Sequence, residues 1–437
     1  MKRIISAFLA LSLLCLGGCS VSVESLLSPP KLDEEQSAIY NALRLSKGGD
    51  VQLKYPVSGQ YRSAFVVQNI DEESTDEAIV FYETSNVTDG GSSLRLNFLD
   101  KKDGEWVSVY DFAALGSEIE RVRFADLGDK EVSVLVTYTI QNSSDSVTSV
   151  FKYENNVPTE VYKSRHAYMG LLDINEDGSD EVFLINHDRA SSIASAYLLG
   201  WENDVFSVLS SAPLTGNFAE CRNIITGLCD ELGYKGIFID YLLTDGSLGT
   251  DVLICTERSF SPSRLIPEQL IHRSNTYTPS VFSQDIDKDG IIEIPATSPF
   301  PRYENNVRSE QVNMTHWYQA AYAGYSVRQD YISYMSIRGD YMLIIPSRWT
   351  GFVTVDVSIA DGTIVFSRYN STKKEVGEEL MTIRALPENA VEKADLTGFA
   401  PYGKSAKTNY CFFIKNNTES SFALTEAELK DNFRILE

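Results

Sequence analysis

From Val51 to about Ile332, short apolar runs alternate with polar turns, and the runs are of strand length rather than helix length. Arg62–Val67 leads through a polar stretch to Ala78–Tyr82. Strands around Leu94–Phe98 and Trp106–Tyr110 follow, with Asp103-Gly104 as their hairpin turn. The same order returns as Val122–Asp126, Glu131–Tyr138, Val147–Tyr153 and Val157–Tyr162. It returns again as Gly170–Leu172, Val182–Ile185, Ala194–Trp201 and Val205–Leu209. A fourth unit is read from Lys235–Leu242 through the turn Thr244–Gly249 to Thr250–Cys255. A fifth ends in strands near Asn313–Tyr318 and Tyr325–Ile332. Ahead of the first strand, Lys31–Gln36 opens a short helix to about Leu45, with Ile39, Leu43 and Leu45 on one face.

Two polar turns carry more than turn chemistry. Asp173-Ile174-Asn175-Glu176-Asp177-Gly178-Ser179-Asp180-Glu181 and Asp285-Ile286-Asp287-Lys288-Asp289-Gly290-Ile291-Ile292-Glu293 share one nine-residue pattern. Side-chain oxygens at positions 1, 3 and 5 can converge on a hard cation as the chain turns. Glycine at position 6 permits the positive φ of that turn. Ser179 and Ile291 would offer a backbone carbonyl at position 7, and Glu181 and Glu293 a closing carboxylate at position 9. Oxygen donors without His or Cys point to Ca²⁺. Position 12 is Leu184 or Ala296, which argues against an EF-hand. The competing reading is a pair of solvated hairpin turns, which use the same residue types. Asn69–Glu77 is a worn copy with Ser74 in place of the glycine, and Leu127–Lys130 is too short for the ligand set.

The strand, acidic turn, strand unit resembles the FG-GAP or VCBS-type repeat of β-propellers, whose turn often carries Ca²⁺. The resemblance implies a mainly β fold, a propeller of about five blades over residues 51–335, with six or seven also open. A repeat of roughly 50 residues suits a four-stranded blade. Residues 336–437 mix strands with short helical stretches and predict a small α/β domain. Its elements are a strand at Tyr341–Pro346, a hairpin over Ala360-Asp361-Gly362, a helical Pro387–Ala394, and a terminal helix at Leu424–Phe433 capped by Thr425 and Glu428. This part is loosely similar to a C-terminal module of exported Firmicute proteins.

The first residues change the picture of where the protein works. Met1-Lys2-Arg3 precedes an apolar Ile4–Leu16 too short to span a bilayer, followed by Leu16-Gly17-Gly18-Cys19. This resembles a bacterial lipobox. The resemblance implies that residues 1–18 are a signal peptide and that Cys19 is acylated, palmitate-type, as the first mature residue. Residues 19–50 then tether the body to the outer face of the cell membrane.

Composition narrows the partners. The net charge is −23, with 61 acidic against 38 basic residues, so nucleic acid is repelled. Cys221, Cys229, Cys255 and Cys411 allow disulfides in an exported protein, Cys221 with Cys229 among them, or four separate thiols. His166, His187, His272 and His316 form no metal pair, and no nucleophile, zinc or phosphate-loop motif appears. Trp106, Trp201, Trp317 and Trp349 are candidates for a sugar platform, though strand-like surroundings suit core residues. Two expectations follow. One is a non-catalytic surface lipoprotein that binds an extracellular polymer or protein and uses Ca²⁺ structurally. The other is an exported polysaccharide hydrolase with carboxylates gathered at a propeller channel.

Overall fold

A computed structural model describes residues 32–436 except 49–50, 72, 86–91, 130, 264–280, 322–325 and 337–339. Cys19, the signal segment and His272 lie outside the described residues. The described chain is mainly β, as the alternation predicts, and divides into two compact units.

The first unit holds the described residues up to Pro56, those of Arg62–Ala114, and Asn155–Val157. Helix α1 (Glu34–Lys47) starts at Asp33, whose side chain accepts from the Gln36 amide while Gln36 reaches back, a reciprocal cap. It stops at Gly48 in the left-handed region. Ile39 and Leu43 are fully buried, but Leu45 is 87% exposed, so the apolar face is narrower than the sequence predicts. The helix packs on a sheet of β1 (Val51–Leu53), β2 (Phe65–Gln68), β3 (Glu77–Thr84), β4 (Leu94–Lys102) and β5 (Glu105–Ala113). Asp103 and Gly104, both at positive φ, make the predicted tight hairpin between β4 and β5.

The second unit holds five antiparallel sheets. The second sheet of the chain is β6 (Glu118–Ala125), β7 (Ser133–Thr139), β8 (Ser146–Glu154) and β9 (Val157–His166). The third is β10 (Tyr168–Leu172), β11 (Glu181–Asp188), β12 (Ile193–Glu202) and β13 (Val205–Pro213). The fourth is β14 (Phe218–Leu228), β15 (Lys235–Leu243), β16 (Leu248–Thr256) and β17 (Ser259–Pro262). The fifth is β18 (Glu293–Pro299), β19 (Asn313–Ala321), β20 (Ser326–Ser336) and β21 (Tyr341–Ile344). In sheets two to four the strands pair in chain order, and the first strand is an edge.

Each of these sheets packs an apolar face on the next. Leu135 and Val150 of the second meet Leu184 and Leu199 of the third. Phe183 and Leu198 of the third meet Ile239 and Leu253 of the fourth. Phe238 and Val252 of the fourth meet Ile294 and Ala320 of the fifth. Phe183, fully buried between two sheets, is the kind of side chain whose truncation costs about 3–5 kcal/mol.

Three sequence expectations need correction. In the fourth sheet the first strand is Phe218–Leu228, so the turn Thr244–Gly249 joins its second and third strands. The connection equivalent to the acidic loops is the stretch from Cys229 to Tyr234. Tyr341–Ile344 belongs to the fifth sheet and not to a separate C-terminal part. The chain end returns to the same sheet, where β27 (Phe433–Ile435) pairs with β21. Between them lies a sixth sheet, β22 (Val353–Ser358), β23 (Thr363–Asn370), β24 (Glu375–Pro387), β26 (Tyr410–Asn416) and β25 (Ala400–Lys404), in that order across the sheet. The helical stretch after Pro387 is a 3₁₀ turn, Glu388–Lys393. Helix α2 (Glu426–Asn432) carries the predicted capping box of Thr425 and Glu428.

Candidate cation-binding loops

The nine-residue loops share a closed neck that sequence reading missed. At position 2 the backbone N–H of an isoleucine donates to the glutamate at position 9. Ile70 N donates to Glu77 Oε2 at 2.8 Å, Ile174 N to Glu181 Oε2 at 3.3 Å, and Ile286 N to Glu293 Oε2 at 3.0 Å. All six residues are buried. The reason is local. The isoleucine side chain plugs the core at the point where the chain leaves the sheet, so its amide has lost a ladder partner, and a buried amide needs an acceptor. The signal was in the sequence, since Ile and Glu recur at positions 2 and 9 in all three copies.

In the loop 285–293, Asp285 organises the turn. Its Oδ1 accepts from Lys288 N (2.6 Å) and Asp289 N (3.1 Å), and its Oδ2 from Gly290 N (2.9 Å). Asp287 accepts from Asp289 N, and Asp289 from Ile291 N. Gly290 takes φ 89°, as position 6 requires. Lys288 at position 4 is also left-handed, with φ 69°. The outcome is convergence: Asp285, Asp287 and Asp289 each bring one carboxylate oxygen within 4.8 Å of the others. Glu293 is not in that group. Its Oε1 accepts from Gln319 Nε2 at 2.9 Å and its Oε2 is spent on the neck. Burial, with Asp287 and Asp289 nearby, pushes its carboxyl up to about 7. Tyr331 donates to Asp287 Oδ2 at 2.6 Å, and Arg434 of β27 donates to the Ile286 carbonyl at 2.8 Å. Backbone bonds from Ile292 N to Leu228 O and from Leu228 N to Gly290 O fasten the loop to the end of β14.

In the loop 173–181, Asp173 plays the part of Asp285, accepting from Asp177 N and Gly178 N at 3.2 and 3.0 Å. Gly178 and Glu176 repeat the two positive φ values, 91° and 59°. The charges are met differently. Asn175 holds position 3 and donates to Asp177 Oδ2 at 2.8 Å. Lys235 pairs with Glu176 at 2.6 Å, and Arg258 with Glu181 at 3.2 Å. Arg258 reaches the neck across Gly200, where a Cβ would sit 2.7 Å from its Nη2. Burial still raises the Glu181 carboxyl, and Arg258 opposes the rise. Ser179 caps the turn through its amide on Asp177 Oδ1.

The remaining connections show the pattern wearing away. Around Asn69–Glu77 the neck persists, with Glu77 pushed up to about 7 by burial, while Ser74 stays out of the left-handed region. In the second sheet the short turn has its own cation, Lys152, 2.8 Å from Asp129 and 3.3 Å from Glu154. In the fourth, Asp230 accepts from Leu232 N and no carboxylate pattern forms.

Other sequence candidates fall elsewhere. The four tryptophans are all buried and belong to the core. Cys221, Cys229, Cys255 and Cys411 are free thiols. Cys221 lies in β14 and Cys229 just beyond its end, roughly 26 Å apart along an extended strand, so they cannot pair. His166 and His316 bond the hydroxyls of Thr148 and Ser298.

No family model matches the chain, and no curated protein matches it. Among solved structures, the periplasmic gluconolactonase of Pseudomonas aeruginosa is similar over 76% of this chain and 95% of its own, at 10% identity and a TM-score of 0.25.

Proposed function

We propose that this is a lipoprotein anchored through Cys19 on the extracytoplasmic face of the cell membrane. Its first five sheets serve as propeller blades, its role is non-catalytic binding of an extracellular polymer or protein, and Ca²⁺ is a structural staple. The observation that carries the cation part is the convergence of Asp285, Asp287 and Asp289. Oxygens that share a Ca²⁺ at ~2.4 Å lie no more than about 4.8 Å apart, so the three carboxylates fit within one coordination sphere. Asp285, Asp287, Asp289 and the Ile291 carbonyl would hold the ion. Glu293 would act from behind, keeping the neck shut. Asp173, Asn175, Asp177, Ser179 and Glu181 form a second, weaker candidate, since Glu181 already has a cationic partner in Arg258, Lys235 sits on the neighbouring Glu176, and position 3 is an amide.

The experiment is thermal unfolding of the soluble chain lacking the lipid, with and without millimolar Ca²⁺. The melting temperature rises with Ca²⁺, and Asp285→Ala removes the rise. A wild-type protein indifferent to Ca²⁺ ends this reading. Mass spectrometry of the membrane-extracted protein, with Cys19→Ser as control, tests the anchor. A glycan array and a pull-down with the same soluble chain test the binding role.

A further inference from the structure

In a chain with a large excess of acids, most arginines find a carboxylate. Arg95, Arg165, Arg189, Arg222, Arg258, Arg302, Arg328, Arg348 and Arg368 all do. Among the described residues Arg121 and Arg123 do not, nor do Arg44, Arg384 and Arg434, but Arg121 and Arg123 are two such side chains on one strand. They stand two residues apart on β6, the edge strand of the second sheet, with regular pairing to Thr137 and Leu135, so both side chains leave the same face. That face is the one packed on the third sheet, since Ala125 and Leu135 share it and belong to the apolar contact there. Both arginines are half-buried.

Their donors are barely used. Among the described residues, Arg121 gives one hydrogen bond, from Nε to Ser58 Oγ at 3.2 Å, and its stem lies against Gly59. Arg123 gives one, from Nη1 to the Met169 sulfur at 3.4 Å, a weak acceptor. Glu120 and Asp180 act on Arg123 only from beyond ion-pairing distance, and Glu120 is already bonded by Ser146. Tyr168, on the edge strand of the third sheet, carries its hydroxyl within electrostatic reach of both guanidiniums, with its ring laid along Gly170. Two like charges held side by side and half out of water lower each other's stability. Burial and the neighbouring Arg121 both disfavour the charged form of Arg123. An arrangement of this kind costs stability unless something negative completes it.

We infer that Arg121, Arg123 and Tyr168 form a binding site for an oxyanion, a carboxylate, sulfate or phosphate group, entering between the edge strands β6 and β10. Paired guanidinium forks match the planar or tetrahedral arrangement of such oxygens, and their weak hydration makes the exchange of water for ligand cheap. The site lies on different residues from the acidic loops, and its charge is opposite, so the inference does not require Ca²⁺ to bind.

Calorimetric titration of the soluble chain at low salt tests it with three probes: inorganic sulfate, inorganic phosphate and an oligogalacturonate. At least one of them binds saturably at one site per chain. Arg123→Gln and Arg121→Gln each weaken that binding at least tenfold, Arg121→Lys less, and Tyr168→Phe by about two- to fivefold. Binding of the simple salts identifies a free anion as the ligand. Binding of the oligosaccharide alone identifies an acidic group on a polymer. A second readout separates a ligand site from a structural one. Without ligand, Arg123→Gln melts at the same temperature as wild type or higher, because it removes an uncompensated charge. The inference is overturned if none of the probes binds at millimolar concentration, if the glutamine variants bind as wild type does, or if Arg123→Gln lowers the melting temperature.

Discussion

The loops 173–181 and 285–293 have the same pattern, the same two left-handed residues and the same neck, yet they resolve their charge in opposite ways. In the first, Lys235 and Arg258 come from the neighbouring sheet to meet Glu176 and Glu181, and Asn175 removes one carboxylate from the ring. In the second, three aspartates face one another and the neck glutamate is answered by the neutral side-chain amide of Gln319 and the backbone N–H of Ile286. Identical turn geometry therefore leaves the charge balance open. The first loop has two glutamates paired with cations of the fourth sheet, and under the function proposed above the second, with its three converging aspartates, would draw its counter-charge from an ion in solution.

The comparison is broken most forcefully at position 1. Asp285→Ala removes three hydrogen bonds, leaving the Lys288 and Gly290 amides without their acceptor and the Asp289 amide with Asp287 alone, and should cost about 2–4 kcal/mol of stability even without metal, as charge-assisted bonds at a tight turn do. It should also abolish the Ca²⁺-dependent rise in melting temperature. Asp173→Ala loses two such bonds, costs somewhat less, and should leave the Ca²⁺ response in place. Equal loss of the response in both variants would show that the loops are not distinct.

Next in size is the counter-charge itself. Arg258→Met leaves the buried Glu181 carboxylate without its partner. Because Arg258 is 37% exposed and partly screened, the loss should be about 1–3 kcal/mol at pH 8. It should shrink at pH 5, where Glu181 can take up a proton. Denaturant unfolding at the two pH values measures it. A loss independent of pH would mean that Arg258 works through its bond to the Trp201 carbonyl instead.

Glu293 gives an effect of opposite sign. Its carboxyl is raised to about 7 in the fold from an ordinary value near 4.5, so the folded state holds the proton more tightly than the unfolded chain. Its contribution is therefore most favourable below the unfolded value and is lost as pH rises through about 7. Glu293→Gln keeps an acceptor for the Ile286 amide and removes the charge. It should stabilise the Ca²⁺-free protein by about 1–2 kcal/mol at pH 8 and change little at pH 4.5. Because a bound cation would favour the ionised form, the variant should also bind Ca²⁺ more weakly. Destabilisation by Glu293→Gln at pH 8 would remove this account of the neck.

How much of this could be read in advance depended on how loudly a residue declares its neighbours. The alternation that predicts strands was legible because buried faces demand it, and the loops were legible because Asp and Gly spacing is tied to one turn geometry. Phe218–Leu228 was missed because Glu220, Arg222 and Asn223 break up its apolar run, as an edge strand with one polar side permits. Phe433–Ile435 was missed because three residues hold no periodicity, and what places them is pairing with Tyr341–Leu343, about ninety positions earlier. The neck bond of the position-9 glutamate was silent because a cation ligand and a neck clamp are the same residue at the same spacing, and the sequence does not show the burial that goes with the clamp. Lys235 and Arg258 were silent for the same reason: their role exists only once the fourth sheet stands beside the third.

The smallest expected effect is also the sharpest test of the difference between the loops. Asn175 occupies the position that Asp287 holds in the other loop, and its amide donates to Asp177 at 2.8 Å. Asn175→Asp replaces that donor with a third carboxylate at the same place in the ring. The site is exposed, so the repulsion is screened and the Ca²⁺-free protein should lose less than about 1 kcal/mol, more at low salt than at high. In exchange the loop gains the donor set of 285–293, and a Ca²⁺ response should appear that persists in the background of Asp285→Ala. Lys235 and Arg258 still neutralise Glu176 and Glu181 in that variant, so the gained affinity should be weaker than that of the native second loop. Adding Arg258→Met should strengthen it. If Asn175→Asp brings no Ca²⁺ dependence in either background, the missing carboxylate is not what silences the first loop. The neighbouring cations alone then account for the contrast.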